Sequence, residues 1–312
     1  MMSVRRASHA GSWYSGDREQ LKSQLSSWIQ SARDVGFQDN LRAVIAPHAG
    51  YSFSGPTAGY AYAAIDPTKY DRVIVLGPSH HTYLDHCCVT AQKFLETPVG
   101  TLNVDEEFNT DLKASGLFES MDRTVDEDEH SIEMHLPYVA YVFRDHLDRI
   151  KVGTVLVGSL SREGDEKYGL FFSSYLSNPK NLFIVSSDFC HWGKRFRYVN
   201  YDSTRGEIHQ SIEHLDRIAI DIIERQRPAE FHRYLRETGN TICGRHPITV
   251  LLFAAQKCQG SQSKSFSFSL AKYAQSSQCR LQSDSSVSYV SMLVTLQGDA
   301  KVTPFQSHSI KD

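Results

Sequence analysis

Four short apolar runs, each followed by a polar turn, constrain this chain most: Val44-Ile45-Ala46, Val73-Ile74-Val75-Leu76, residues 152–157 and Leu182-Phe183-Ile184-Val185. Runs this continuous have no polar face, so both faces must be covered. Helical patterns separate them. Leu21, Leu25, Trp28 and Ile29 share a face within residues 15–31. Aromatics recur in the same way over 167–176, and Ile208, Ile212, Leu215, Ala219 and Ile222 form a stripe within 204–225. Buried strands alternating with helices predict an α/β fold with a central, largely parallel or mixed sheet flanked by helices. No repeat or composition break divides the 312 residues. One compact domain over 1–300 and a frayed tail over 301–312 are expected.

Weaker patterns complete the outline. Residues 51–64 read as a helix with Pro56 near its start. Residues 89–101 read as extended, turning at Pro98-Val99-Gly100. Asn103 or Asp105 starts a helix. Residues 132–143 read as helical despite Pro137, which kinks the helix unless it lies near its start, and 248–255 as a buried helix. Residues 261–269 and 288–296 read as late strands.

The residues that close the runs carry chemistry. His48 follows the first, His80 and His81 the second, and Asp188, Cys190 and His191 the fourth. Cys243 stands in Thr241-Ile242-Cys243-Gly244-Arg245-His246-Pro247, just ahead of an apolar helical run. Ligands of open parallel sheets bind beyond the carboxyl ends of the strands. Groups far apart in sequence can therefore converge there on one pocket, and imidazole with thiolate is a donor set for zinc, copper or iron. Adjacent residues of an extended chain point to opposite faces, so His80 and His81 are not equivalent and Cys190 points away from His191. Cys243 reads in two ways. It is a small buried hydrophobe, or a thiolate stabilised by the following helix N-terminus and by Arg245. Asp188 either caps its turn or orients a ligand and accepts a proton. The acidic run 126–133 reads as solvated helix-start residues or as a contact surface.

Bulk properties narrow the field. A formal charge of -3 does not suit a nucleic-acid partner. No run reaches the roughly 20 apolar residues of a transmembrane segment, and the N-terminus has no apolar signal core. A cytoplasmic protein, with access to the nucleus, is expected. Six cysteines without a Cys-x-x-Cys pair fit reduced thiols. The donor set alone leaves a zinc hydrolase open; a serine hydrolase lacks its Gly-x-Ser-x-Gly elbow.

Several long motifs, in order, resemble the Memo family. They are His9-Ala10-Gly11-Ser12-Trp13-Tyr14, Ala46-Pro47-His48-Ala49-Gly50-Tyr51 and Leu76-Gly77-Pro78-Ser79-His80-His81. The series continues with the stretch 126–138 around His130, Ser186-Ser187-Asp188-Phe189-Cys190-His191-Trp192-Gly193, the Cys243 segment and Tyr273-Ala274-Gln275-Ser276-Ser277-Gln278-Cys279. The resemblance covers about residues 5–297. That family is similar in fold to class III non-haem iron dioxygenases, which open catechol-type rings. The resemblance implies one copper or iron site per chain, held by His48, His80 and Cys243. It implies that Asp188 and His191 serve as catalytic groups in the same pocket, with His81, His130, Arg245, Trp13 and Tyr51 around them. The related dioxygenases hold iron with two histidines and a glutamate. Cys243 in the third position favours redox chemistry, with superoxide as a product, over ring cleavage. The family is associated with receptor tyrosine kinase signalling, cell motility and the microtubule cytoskeleton. The resemblance therefore implies a redox-active signalling protein, an adaptor that binds phosphotyrosine peptides in a relict cleft, or a metal buffer.

Overall fold

The computed structural model describes residues 3–262 and 265–297. The tail expected over 301–312 lies outside the described residues. In chain order the elements are β1 (Val4–Arg5), α1 (Arg18–Ser31), β2 (Leu41–Ala46), α2 (Tyr51–Tyr62), β3 (Arg72–Pro78) and β4 (Cys87–Val89). Then come β5 (Phe94–Thr97), β6 (Gly100–Val104), α3 (Glu106–Ala114), β7 (Phe118–Ser120), α4 (Arg123–Asp128), α5 (His130–Glu133) and α6 (Leu136–Val142). The chain continues through β8 (Lys151–Val157), α7 (Arg162–Ser177), β9 (Asn181–Ser186), β10 (Asp188–Trp192), α8 (Ile208–Glu224) and α9 (Pro228–Thr238). It closes with α10 (Arg245–Gln262), β11 (Ser265–Gln275) and β12 (Ser286–Gln297).

The strands form one mixed sheet in the order β1-β5-β6-β8-β3-β9-β2-β12-β10, with β11 on β12 and a β4–β7 pair beside β8. At its centre β8, β3, β9 and β2 run parallel. These are the four apolar runs, and they are buried on both faces. Ile74 and Leu76 enter one core with Phe172, Ile248 and Leu252. Val73 and Val75 enter the other with Leu21, Leu25 and Tyr138. Alternation along a strand divides its side chains between two layers of helices. Among the described residues no helix is long and apolar enough to cross a membrane.

The irregular parts depart from the expectations. Residues 132–143 are two helices, because Pro137 sits in the first turn of α6, where its missing N–H costs no helical bond. Pro56 lies in the second turn of α2, not the first. The extended stretch 89–101 becomes a β5–β6 antiparallel hairpin ending at Thr97 and Gly100. The long helix expected from 204 begins at Ile208, behind a capping box of Glu207 and Gln210. Asp188 to Trp192 form a strand antiparallel to β12 rather than a turn, so the polar cluster that follows β9 lies on the sheet itself.

Candidate metal centre

The parallel register sets strand ends side by side: Ala46 pairs with Ser186, and Leu76 with Val185. His48 and His80 lie two residues beyond β2 and β3. Cys243 arrives from the loop between α9 and α10. Gly244 permits that approach, because a Cβ there would collide with the Ser187 side chain and the Ser186 carbonyl. The Gly244 N–H donates to Ser187 Oγ at 3.1 Å. On the other side Gly77 admits Ser131 and Ile132, whose atoms would lie 2.6 and 2.7 Å from a Cβ.

One ligand atom each from His48, His80 and Cys243 lie within 4.8 Å of one another. Cys243 Sγ is 3.2 Å from His48 Nε2. The network behind His48 sets its tautomer. Ser186 Oγ donates to the Ser131 carbonyl at 2.7 Å. Its single proton is thereby committed, so it accepts from His48 Nδ1–H at 2.6 Å. Nε2 then carries a lone pair facing Cys243. Burial, and after it the surrounding histidines, holds the His48 pKa well below the usual value, so its imidazole is neutral.

His80 is built differently. Its Nδ1 lies 2.9 Å from Glu129 Oε1, and its backbone N–H donates to Glu129 Oε2 at 2.7 Å. Burial pulls the His80 pKa down, but hydrogen bonds and charge from Cys243 and Glu129 outweigh it and push it up to about 10. Burial raises Glu129 in turn, and its bonds to His80 and the Ser131 N–H bring it down to about 2. The environment favours positive charge at His80, and a carboxylate behind a histidine is the usual support of a ligand imidazole. These residues fit a soft or borderline metal ion.

Asp188 is buried. Its Oδ1 accepts the His48 N–H at 2.9 Å and the Ala49 N–H at 3.4 Å, and its own N–H points at Cys243 Sγ, 3.3 Å away. Burial raises its pKa, against the pull of His191 and those two N–H groups. His191 Nδ1 lies 2.9 Å from the Phe189 carbonyl and 3.2 Å from that of Thr241, so it is protonated and Nε2 is left as a base. Both residues border the cluster. Cys190 is buried and its N–H donates to Asp216.

The outer wall is a stack of rings. Trp13 lies 4.4 Å from His130, which stacks on His80 at 4.4 Å. His81 is exposed and its ring is 5.6 Å from His130. A 330 Å³ cavity beside them is lined by Ser8, His9, Trp13, His81, Glu127 and Asp128. Two expected neighbours stand apart. Arg245 is exposed and makes no hydrogen bond with Cys243 among the described residues. Tyr51 is buried among Tyr14, Trp28 and Tyr138, with its hydroxyl committed to the Met134 carbonyl at 2.6 Å.

The acidic run 126–133 is not a solvated surface. Asp126, Glu127, Glu129 and Glu133 are all buried. Glu133 takes Arg5 Nη1 at 2.6 Å, Tyr14 Oη at 2.7 Å, and the His9 N–H and Nδ1 each at 2.9 Å. Arg5 also reaches Asp126 at 2.9 Å. This knot holds the N-terminal segment, and with it His9 and Trp13, against the cleft. Sequence reasoning missed Ser186, Glu129, Glu133 and Arg5. The only signal was the pairing of an early arginine with a distant acidic run, and no spacing rule connects residues more than 120 positions apart.

A single-domain α/β protein with a histidine–histidine–cysteine group at its parallel strand ends is the class that fold and site define. A family profile described as Memo-like protein matches residues 5–293. Protein MEMO1 of Xenopus tropicalis is 50% identical over 285 residues, 91% of this chain and 95% of that protein. Protein MEMO1 of Homo sapiens is 48% identical over 292 residues, 94% and 97% of the two chains. The protein memo-1 homolog of Caenorhabditis elegans is 43% identical over 92% of this chain and 81% of its own. The chain belongs to the Memo family. Its fold is also that of the uncharacterized protein JW3007 from Escherichia coli K12, with a TM-score of 0.51 and 13% identity over 80% of this chain and 98% of the other.

Proposed function

We propose that this protein is an intracellular copper- or iron-binding redox protein, with the ion held by His48, His80 and Cys243. The family resemblance extends the proposal to a place between receptor tyrosine kinases and the motility and microtubule machinery. One observation carries the metal reading: three donor atoms from three distant loops lie within 4.8 Å of one another. The Ser186 and Glu129 bonds aim the two rings at that point. When bound, such an ion supplies one-electron redox chemistry and an open coordination position. The chain does the rest. Glu129 and Ser186 orient the ligand rings, Asp188 fixes the His48 backbone, and His191 Nε2 takes or returns a proton at the pocket edge. Thiolate in place of a carboxylate disfavours ring cleavage. The test is anaerobic metal analysis of freshly purified protein beside Cys243→Ala. The expected result is copper or iron near one per chain in the first and its loss in the second. Equal metal in both sinks the assignment.

A second reading, a phosphotyrosine-peptide adaptor, has its own support. Lys194, Arg195 and Arg197 follow His191 and form no ion pair among the described residues, and Arg195 lies 4.4 Å over Phe196, which edges His191 at 5.2 Å. Such cations suit a phosphate. Calorimetry with phosphotyrosine peptides on metal-free and metal-loaded protein decides it, since no heat in either sample removes the reading. Metal buffering differs from both in predicting reversible binding without oxygen consumption.

A further inference from the structure

Behind the cleft the second core contains a continuous run of phenol rings. Tyr14 lies 5.3 Å from Tyr51, Tyr51 5.4 Å from Tyr138, and Tyr138 stacks on Tyr62 at 4.2 Å with planes 11° apart. The near end meets the cleft wall through Glu133, which accepts from Tyr14 Oη at 2.7 Å and lies 2.9 Å from Nδ1 of His9, whose ring edges Trp13 at 5.7 Å. The far end, Tyr62, lines a 450 Å³ cavity between α1, α2 and α6, away from the strand ends. All four tyrosines are buried. Phenylalanine would pack these positions without a hydroxyl to satisfy.

The partners of the four hydroxyls differ in kind. Tyr51 donates to the Met134 carbonyl and Tyr138 to the Gly55 carbonyl, neither of which can take a proton. The end residues face bases: Tyr14 donates to Glu133 Oε1 at 2.7 Å, and Tyr62 lies 2.8 Å from His135 Nδ1. A buried phenol loses an electron readily only when its proton has somewhere to go. His135 is fully buried and its Nδ1 lies within hydrogen-bond reach of the Tyr62 hydroxyl, so that nitrogen is the base placed to take the phenol proton. Its other nitrogen, Nε2, has no partner among the described residues.

We propose that Tyr14, Tyr51, Tyr138 and Tyr62 form a one-electron path that drains oxidising equivalents from the metal-binding cleft to a reductant in the cavity at Tyr62. The path rests on the metal reading above, because a redox ion at the cleft is what would generate oxidants of the reactive-oxygen class there. Such an oxidant takes one electron from Tyr14, whose proton passes to Glu133. An electron then moves from Tyr62 through Tyr138 and Tyr51 to Tyr14, and Glu133 returns the proton. Tyr62 gives its own proton to His135 and rests as a neutral radical. A small thiol or enediol in the cavity supplies one electron, His135 returns the proton, and the phenol is restored. The reductant leaves as its one-electron-oxidised form. Cys243 is thereby spared oxidation.

The test needs no metal. Cys243 is the one cysteine of the six that is not buried, so a thiol-reactive ruthenium photo-oxidant can be attached at the cleft of the metal-free full-length chain. A flash should yield a long-lived tyrosyl radical by electron paramagnetic resonance, shortened by added thiol. Tyr62→Phe should lose the long-lived signal, Tyr138→Phe should prevent its formation at Tyr62, and Tyr83→Phe, an exposed residue off the path, should leave it intact. His135→Gln should keep the phenol but shorten the radical, which covers the case in which Tyr62→Phe folds poorly. An unchanged radical in both Tyr62→Phe and His135→Gln overturns the proposal. Metal content is measured separately: a silent path in a protein that purifies with metal rejects the path alone, and an active path in a chain that cannot bind metal rejects the centre as the source of oxidant.

Discussion

The two ends of the same parallel strands are built on opposite rules. At the amino ends of β3, β8 and β9, charges satisfy one another: Arg72 with Asp105 at 2.6 Å, Arg149 with Asp71 at 2.5 Å and Lys180 with Asp71 at 3.6 Å. At the carboxyl ends, His48 and His80 each use one nitrogen on a support and leave the other facing Cys243. A side chain whose capacity is consumed by its neighbours is structural. One oriented at a point shared with other donors, with its other bond already fixed, is arranged for something else. The comparison also separates two layers within the carboxyl end. The donor atoms face one another, while the Arg5, Asp126, Glu129 and Glu133 shell behind them is tied into charged pairs.

That shell should give the largest effect. Arg5 is fully buried between two carboxylates. Arg5→Ala removes the cation that both carboxylates share, and breaking a buried pair from one side costs about 3–5 kcal/mol. The variant should unfold at clearly lower denaturant than wild type, or fail to accumulate folded. If it melts as wild type, the knot is not what holds the N-terminal segment, and the distinction between shell and donors falls.

Next comes Asp216, a buried carboxylate behind the Cys243 loop that forms no ion pair among the described residues. It accepts from Cys190 N–H, Asn240 and Tyr273. Burial raises its pKa to about 6 from 3.8, more than those hydrogen bonds lower it. A raised folded-state value means the folded chain holds the proton more tightly. The stabilisation is complete below the unfolded pKa and is lost as pH rises through the folded one, about 3 kcal/mol in all. Wild-type stability relative to Asp216→Asn should therefore fall between about pH 4 and pH 6 and be level above pH 7. Glu133 acts oppositely in a separate window. Burial raises it, but bonds to His9, Arg5 and Tyr14 bring it to about 2, so its contribution is full above its ordinary 4.5 and is lost as pH falls from there toward about 2. Thermal melts across pH resolve the two, and a flat difference curve for Asp216→Asn removes the first.

How legible this was depended on the range of the interaction. The four central strands were readable because hydrophobic continuity is local, and the placement of His48 and His80 followed from the rule that parallel strands end together, while Cys243, on the α9–α10 loop, came in through the family resemblance. Pro137 left two readings open because a proline inside an apolar pattern looks the same whether it kinks one helix or starts another, and the structure takes the second. Residues 188–192 were hidden as a strand because their pairing partner, β12, is about 100 residues away. The acidic run read as solvated for the same reason. Nothing local says that Glu133 meets Arg5, or that Glu129 meets His80. Arg245 shows the converse error: adjacency to Cys243 in sequence put it beside the thiol, while the first turn of α10 carries it outward to solvent.

A smaller effect separates support from donor at the candidate centre. Glu129→Gln keeps the side-chain shape and removes the charge behind His80. Loss of a ligand's hydrogen-bonded support typically costs 10–100-fold in metal affinity, about 1.4–2.7 kcal/mol. Competition titration with a copper or iron chelator should show that drop in Glu129→Gln. The same titration in buffers of differing ionisation heat should show His80, with its pKa pushed to about 10, releasing a proton as metal binds near neutral pH. Unchanged affinity would mean that Glu129 is only a packing partner.

The smallest effect belongs to the other pole and gives the comparison its control. Asp71 and Arg149 meet at 2.5 Å, yet their side chains are 51% and 38% exposed, so water screens the pair. Asp71→Asn should change stability by no more than about 1 kcal/mol, the usual range for surface pairs. Metal affinity should not move, because the residue lies at the amino ends of the strands whose carboxyl ends bear the donors. Chemical denaturation and the chelator titration read both quantities on one preparation. If Asp71→Asn weakened metal binding as much as Glu129→Gln does, the strands would be transmitting strain along their length. The two poles would then be coupled rather than independent, and pairing at one end could no longer be read as structure alone.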